Sequence, residues 1–520
     1  MTAAAPDAGA PVDSDAPVGA VGAVSDTIAV TVIDIDTVID IDTVIVGAGF
    51  AGLGMGIRLA RRGEASFVIL ERGPDVGGTW RDNIYPGVAC DIPSHLYSFS
   101  FRQNPSWSRF FAPGAEIQQY LRDSARDEGL APHLRFGADV TSMRWDAAAE
   151  RWLVTTASGS YRCRALIVAA GRLSERRIPP VPGLEHFAGT TMHSSEWDPS
   201  VDLAGTRVGL VGTGASAIQL VPHLAATADA VVVFQRTAAY VVPRDDREYS
   251  AVEKRTFARD PGSMETLRSR LFWNAETAFA ERVGTPDFVG RLHGRARAHL
   301  ESQVADAQLR ADLTPGYEIG CKRVLISSDF YPALQAPGVT LEPAALERID
   351  VDGRAVSARG IAYDVDVLVF ATGFETTRPP FAGRVFGRDG TRLSDHWDHG
   401  MAAFASTVVA GFPNLFVIDG PNASLGHNSA VYMIESQIDY VLGALDLMRT
   451  TGATTLEVTA EAERDYVRDL DRRSARTVWM TGGCHSWYVD DTSGRLTLLW
   501  PDFAHAFRAE LGRVDAGTYR

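Results

Sequence analysis

Two glycine-rich turns, each set between an apolar strand and a helix, fix most of what this chain can fold into. The first is DTVIVGAGFAG: Gly47, Gly49 and Gly52 follow the apolar run 43–46, and a second strand, SFVILE, ends at Glu71. The second is RVGLVGTGASA: Gly212, Gly214 and Ala217 follow the run 208–211, and VVVFQR ends at Arg236. Both terminal residues stand 24 positions beyond the first glycine, and they carry opposite charge. Glycines at these places permit a tight turn and close backbone approach, so that a pyrophosphate sits on a positive helix N-terminus. A carboxylate at the end of the second strand accepts hydrogen bonds from a ribose diol, whereas an arginine there pairs with a 2′-phosphate. The first turn therefore predicts a site for the adenosine end of FAD or NAD, and the second a site for NADPH. One such turn is a weak signal; two complete strand, turn, helix and strand sets are a strong one.

The expected architecture is an α/β fold of two Rossmann-like dinucleotide-binding domains with a helical insertion. Residues 1–42 read as a disordered tail, poor in periodic apolar residues. TVIDID at 31–36 repeats at 37–42, and a third copy starts the first strand; the earlier copies fit either an expansion without structure or a short edge strand. An FAD-binding domain is expected over 43–185 and again over 366–520, with an NADP-binding domain over 186–365 inserted between. Within the latter, 250–318 carries long polar-apolar helical patterns. The segment DVLVFATGFE at 366–375 predicts a strand whose Thr372-Gly373 turn approaches a cofactor.

A net charge of −15 over 520 residues argues against nucleic acid or an anionic membrane as the main partner. Arg236 must then attract its phosphate locally. Cys90, Cys163, Cys321 and Cys484 show no C-x-x-C and no metal-ligand spacing, so no metal is expected. They read as incidental thiols of a reducing cytosol, and flavin-disulfide chemistry of the thioredoxin-reductase type is disfavoured. No apolar run reaches 18 residues and no basic segment precedes an apolar one at the N-terminus, which predicts a cytoplasmic protein without a transmembrane segment.

Between the two turns lies FAGTTMHSSEWD, with Phe187, Gly189, His193, Trp197 and Asp198. It resembles the F-x-G-x-x-x-H-x-x-x-W-[PD] signature of type I Baeyer-Villiger monooxygenases, which the two dinucleotide fingerprints flank in that family. The resemblance runs from about residue 43 to the C-terminus. It includes GGTWRDNIYPGVACDIPSHLYSFSF at 77–101, GCKR at 320–323, ATGF at 371–374, GPNASLGHNS at 420–429 and GCHSWYVDD near the end. Ala217 departs from the third glycine, as in the GxGxxA variant common at NADP sites.

The resemblance implies FAD, NADPH and O2 as co-substrate, with a C4a-peroxyflavin that attacks a small hydrophobic ketone to give an ester or lactone. It assigns Arg323 as the active-site arginine and Asp91 as the carboxylate that positions it. Lys322 and Arg236 match residues that grip the 2′-phosphate, with Thr237 as a hydroxyl donor. Gly78, Thr79 and Trp80 of GGTW join the flavin site, and His193 and Trp197 match parts of an interdomain hinge. From the residues alone, Arg323 and Asp91 also fit an ordinary ion pair, His193 fits a structural role, and 426–429 fits a turn with a satisfied polar network. A flavin monooxygenase acting on nitrogen or sulfur, and a dinucleotide-binding protein without turnover, are the competing functions.

Overall fold

The computed structural model describes residues 38–283, 286–512 and 514–519. Its centre is the strand Val38–Val46, which pairs in parallel with Phe67–Leu70 on one side and with Gly159–Val168 on the other. Only Thr43, Val44 and Ile45 are deeply buried, the last two fully so. The strand thus begins five residues before the expected boundary at 43. The second TVIDID copy extends it, pairing Val38 to Ile41 with Ser160 to Cys163, and its Ile39 and Ile41 pack onto the core below the sheet. The alternation of Val/Ile with Thr/Asp is a period-2 pattern with one buried face, which a sheet edge satisfies. The first copy, and the rest of the expected tail, lie outside the described residues.

The first sheet runs, in order, Val385–Phe386, Val140–Asp146, Arg151–Thr156, Gly159–Val168, Val38–Val46, Phe67–Leu70 and Leu134–Arg135, with Leu415–Val417 also paired to Gly159–Val168. C-terminal sequence therefore completes an N-terminal sheet. The second sheet is wholly parallel, in the order Val339–Glu342, Ala230–Phe234, Arg207–Val211, Val367–Phe370 and Thr190–His193. Val367–Phe370, expected with the resumed first domain from 366, instead lies inside this sheet; the return to the first sheet comes after it. A four-residue run of apolar, fully buried side chains reads the same in either sheet, so its sequence could not decide between them.

The segments joining the two sheets cross as a pair. Arg177 N donates to Gly373 O at 2.8 Å, Glu375 N donates to Glu175 O at 2.8 Å, and Arg176 bridges Phe374 antiparallel. The helical insertion is present as expected, as Ala251–Arg259, Pro261–Thr277, Phe279–Arg282, Pro286–Gln303 and Ala307–Asp312. Its starts are encoded locally: Ser250 and Glu253 form a reciprocal capping box, Asp260 caps a helix with Pro261 in its first turn, and Asp306 caps the last. No described helix is long and apolar enough to cross a membrane.

The cysteines depart from expectation. Cys90 and Cys163 are buried free thiols, but Cys321 and Cys484 form a disulfide across 163 residues, with Cα atoms 6.1 Å apart. Spacing in sequence cannot reveal such a pair, because the fold alone brings the two segments together.

Candidate active site

The first glycine turn is built as its sequence requires. Gly47 has φ +104°, and a Cβ there would lie 2.5 Å from Ala169 O. A Cβ on Gly52 would lie 1.8 Å from Gly47 O, so the helix Phe50–Arg61 can approach the turn only because residue 52 has no side chain. Gly49, at the N-cap, offers no side-chain cap and no acid follows in the first turn, so the amides at this helix start stay available to an anion. Gly78 faces Gly49 directly, its Cβ position 3.3 Å from the Gly49 Cα, so no side chain stands between the two backbones.

A cavity of about 240 Å³ follows this turn, lined by Gly47, Gly49, Glu71, Gly78, Thr79 and Trp80 among others. Glu71 is 4 % exposed; its Oε2 accepts from Ala48 N at 2.8 Å and its Oε1 from Gly73 N at 2.7 Å, with Arg81 Nη1 also 2.7 Å from Oε1. Three donors leave the carboxylate one of its roughly four acceptor directions. An uncapped helix start, a cradle without Cβ atoms and a carboxylate at the strand end together fit the adenosine diphosphate half of FAD. Trp80 Nε1 donates to Tyr97 Oη at 3.3 Å, and an Arg172–Asp419 ion pair closes another wall. Sequence reading did not single out Tyr97, although it lies in the quoted 77–101 segment, nor Arg172 and Asp419, because the fold alone brings these three to one wall.

The second turn repeats the arrangement. Gly214 caps the helix Ala215–Thr227 without a side-chain bond, space around its Cβ position is open, and no acid stands in the first turn. Ala217 is fully buried in the core beneath, which accommodates its methyl. Arg236 and Thr237 are exposed just past the strand Ala230–Phe234, and Thr237 O accepts from Thr213 Oγ1 at 3.1 Å. Among the described residues Arg236 has no carboxylate partner. Lys322 lies close by: burial, and then the Arg236 charge, hold its pKa below that of an ordinary lysine. Two cations kept together without an anion fit a 2′-phosphate.

Arg323 is one residue further on, and the structure brings it to Asp91. Its Nε and Nη2 both reach Asp91 Oδ2, at 2.7 and 2.6 Å, while the side chains remain 27 % and 28 % exposed. Among the described residues, Nη1 and the second carboxylate oxygen take no part in this contact. Asp91 holds the guanidinium pKa well above its ordinary value, so Arg323 is a fixed positive charge. The Asp91 loop is itself docked on the second unit: Tyr85 Oη donates to Gln219 Oε1 at 2.9 Å, Gln219 Nε2 donates to Ala89 O at 3.0 Å, and Arg244 Nη2 donates to Cys90 O at 3.0 Å. The pair thus joins a loop of the first unit to a loop of the second. Arg244 and Gln219 were not foreseen, since contacts across units leave no local pattern.

The signature residues lie at and before the segments where the chain crosses between the two sheets. His193 ends the strand Thr190–His193 in register with Phe370, and its ring meets Phe374 edge-on. Ser195 N donates to its Nδ1 at 3.2 Å, and burial, followed by the Arg176 charge, lowers its pKa to about 4. It is a neutral ring. A Cβ on Gly189 would lie 2.2 Å from Asp366 O, while Phe187 and the buried Trp197 pack into cores. Asp198 is exposed and accepts from Ser200 N at 2.9 Å. Thr372 donates its hydroxyl to Arg177 O at 2.6 Å and Gly373 accepts from Arg177 N; both serve the crossing strands, and neither lines the first cavity. The segment 426–429 proves to be a polar network, in which His427 and Asn428 donate to buried Glu276 of the insertion at 3.2 and 2.8 Å.

Two glycine-turn sites on two units, joined by the Arg323–Asp91 pair and the contacts around it, are the arrangement of a flavoenzyme that also takes a nicotinamide cofactor. A family model described as pyridine nucleotide-disulphide oxidoreductase matches residues 44–256. A Baeyer-Villiger monooxygenase of Streptomyces coelicolor is 43% identical over 477 residues, 92% of this chain and 92% of the relative. A closed crystal structure of cyclohexanone monooxygenase superposes with a TM-score of 0.82 at 27% identity, covering 93% of this chain and 99% of that one. A crystal structure titled OTEMO in complex with FAD and NADP gives 0.80 at 26% identity, covering 92% and 98%. The chain belongs to the Baeyer-Villiger monooxygenase family, and is an FAD-containing, NADPH-dependent oxidoreductase that converts a ketone to an ester or lactone.

Proposed function

We propose that Arg323 is the charge on which oxygen insertion depends, and that Asp91 positions it. The observation that carries this is the two-pronged contact of Arg323 with one oxygen of Asp91, which orients the guanidinium yet leaves Nη1 outside the contact in a partly open site. Bound FAD supplies the activation of O2. The protein's part is electrostatic: Arg323 places a preorganised positive charge where the ketone oxygen becomes anionic, and pays no reorganisation at that moment. Glu71 and the amides following Gly49 hold the adenosine diphosphate end of FAD; Arg236, Lys322 and Thr237 hold the 2′-phosphate of NADPH. His193, neutral and buried, keeps the crossing strands in register rather than moving a proton.

The substrate is a small hydrophobic ketone, and the compartment the cytoplasm. A ketone panel with product mass analysis, run with NADPH and air, tests the reading. Ester or lactone in step with NADPH consumption supports it; oxidation confined to amines and sulfides would replace it with a nitrogen- or sulfur-oxygenating function.

A further inference from the structure

We propose that Cys321–Cys484 is a reversible thiol-disulfide site, open to a dithiol reductant, that latches the Arg323 loop to the C-terminal segment. The inference rests on the role of Arg323 given above. Cys321 immediately precedes Lys322 and Arg323, so the bridge anchors the backbone that presents both cations. Its partner opens the segment Cys484 to Tyr488, and the buried Tyr488 lies beside Arg323, close enough to raise its pKa. The bridge fits its place: Gly482 has no side chain where a Cβ would lie 2.7 Å from Cys321 Cβ, and Glu318 N donates to Gly482 O at 2.9 Å. The same segment reaches the end of the crossing segment at 373–375, where Thr376 donates to Trp487 O at 3.3 Å.

The two sulfurs are not equivalent. Cys321 is fully buried, whereas Cys484 is half-buried between exposed Gly483 and His485. A reductant thiolate attacks the Cys484 sulfur, the S–S bond breaks, and Cys321 leaves as a thiolate on a segment bearing two cations, which favours its release. The second thiol of the reductant then displaces Cys484, closing its own disulfide. Both cysteines take up protons, and one dithiol is oxidised for each bridge reduced. With the bridge gone, the segments keep non-covalent contacts such as the backbone hydrogen bond from Glu318 N to Gly482 O. The Arg323 loop then loses its covalent anchor while its contact with Asp91 persists.

The test uses the full-length FAD-loaded enzyme, oxidised with diamide or reduced with dithiothreitol. Alkylation under denaturing conditions should label two cysteines in the oxidised form and four in the reduced form. Hydrogen exchange over 318–324 and 481–489 should quicken on reduction, and ester formed per NADPH should fall roughly fivefold or more, the lower end of ordinary coupling between linked sites. Cys484→Ser should behave as the reduced form and ignore dithiothreitol; if it does not fold, the wild-type redox pair still decides. Four labelled cysteines after diamide, or identical exchange and identical yield in both forms, overturns the latch. If neither form makes ester, the functional reading fails instead, and alkylation with exchange judges the latch by itself.

Discussion

Replacing Arg236 should change which nicotinamide cofactor the enzyme prefers, and the structure sets both the size and the pH signature of the change. A hydrogen bond to a charged group contributes about 1.5–3 kcal/mol. Arg236 is exposed, which places it at the lower end, so Arg236→Ala should weaken NADPH binding on the order of tenfold, at about 1.4 kcal/mol per decade. NADH, lacking the phosphate, should be nearly unaffected. Lys322 partly compensates, because its proton is held less firmly while Arg236 stands beside it. In the native enzyme Lys322 loses its charge at a lower pH than an ordinary lysine, and the charged form is the one that binds phosphate. The NADPH dissociation constant should therefore begin to rise with pH below the usual lysine range, with no such rise for NADH. In Arg236→Ala the repulsion is gone, the Lys322 pKa recovers upward, and the onset should move to higher pH. Anaerobic stopped-flow flavin reduction, with either cofactor titrated to saturation at several pH values, reads both effects. Equal losses for NADPH and NADH, or an onset that does not move, would refute the two-cation reading.

Arg323→Ala should keep its FAD yet lose ester formation about 10²-fold or more, the usual cost of removing a preorganised oxyanion donor; Arg323→Lys should rescue poorly, because one ammonium cannot reproduce the fork held by Asp91, and product yield per NADPH is the measure. His193 has a folded pKa near 4 against about 6.5 unfolded, so the unfolded chain binds more protons between these values. Stability should fall as pH drops from 6.5 to 4, by up to about 3 kcal/mol from this residue, and thermal melts of His193→Gln should show a shallower decline. Deleting residues 1–37 should leave melting temperature and FAD content unchanged, whereas deleting 1–42 removes the Val38 to Ile41 pairing with Ser160 to Cys163 and should lower the melting temperature by several degrees; equal melts for the two truncations would remove this segment from the sheet's stabilising part.

What the sequence made legible divides by range. The glycine turns, Glu71, Arg236 and the capped helices of the insertion are short-range devices: each turn needs particular residues at particular spacings, and the structure shows the same residues meeting the same steric demands. Arg323 and Asp91 were reached only through resemblance, since 232 residues separate them and nothing local couples a GCKR loop to an ACDIPS loop. The disulfide was misread for the same reason, and so was the strand Val367–Phe370, whose burial pattern suits either sheet. The tail boundary failed differently: TVIDID has good strand periodicity, but a repeat invites dismissal as expansion.

These long-range features converge on one place, which bears on how the site is controlled. Asp91 rides on a loop of the first unit and Arg323 on a loop of the second, so their ion pair depends on how the two units dock. Reduction of Cys321–Cys484 loosens one side of that docking, while the paired segments around Arg177 and Gly373 hold the other. On the proposed role of Arg323, a mobile guanidinium no longer stabilises the ketone oxyanion in a fixed geometry, whereas the glycine turn at 47–52 keeps its own contacts. Loss of the latch should then separate the two half-reactions: NADPH oxidation continues, ester formation falls, and hydrogen peroxide makes up the difference. A reduced enzyme that loses NADPH oxidation and ester formation in equal proportion would place the latch in cofactor binding, through Lys322, rather than in oxygen insertion through Arg323.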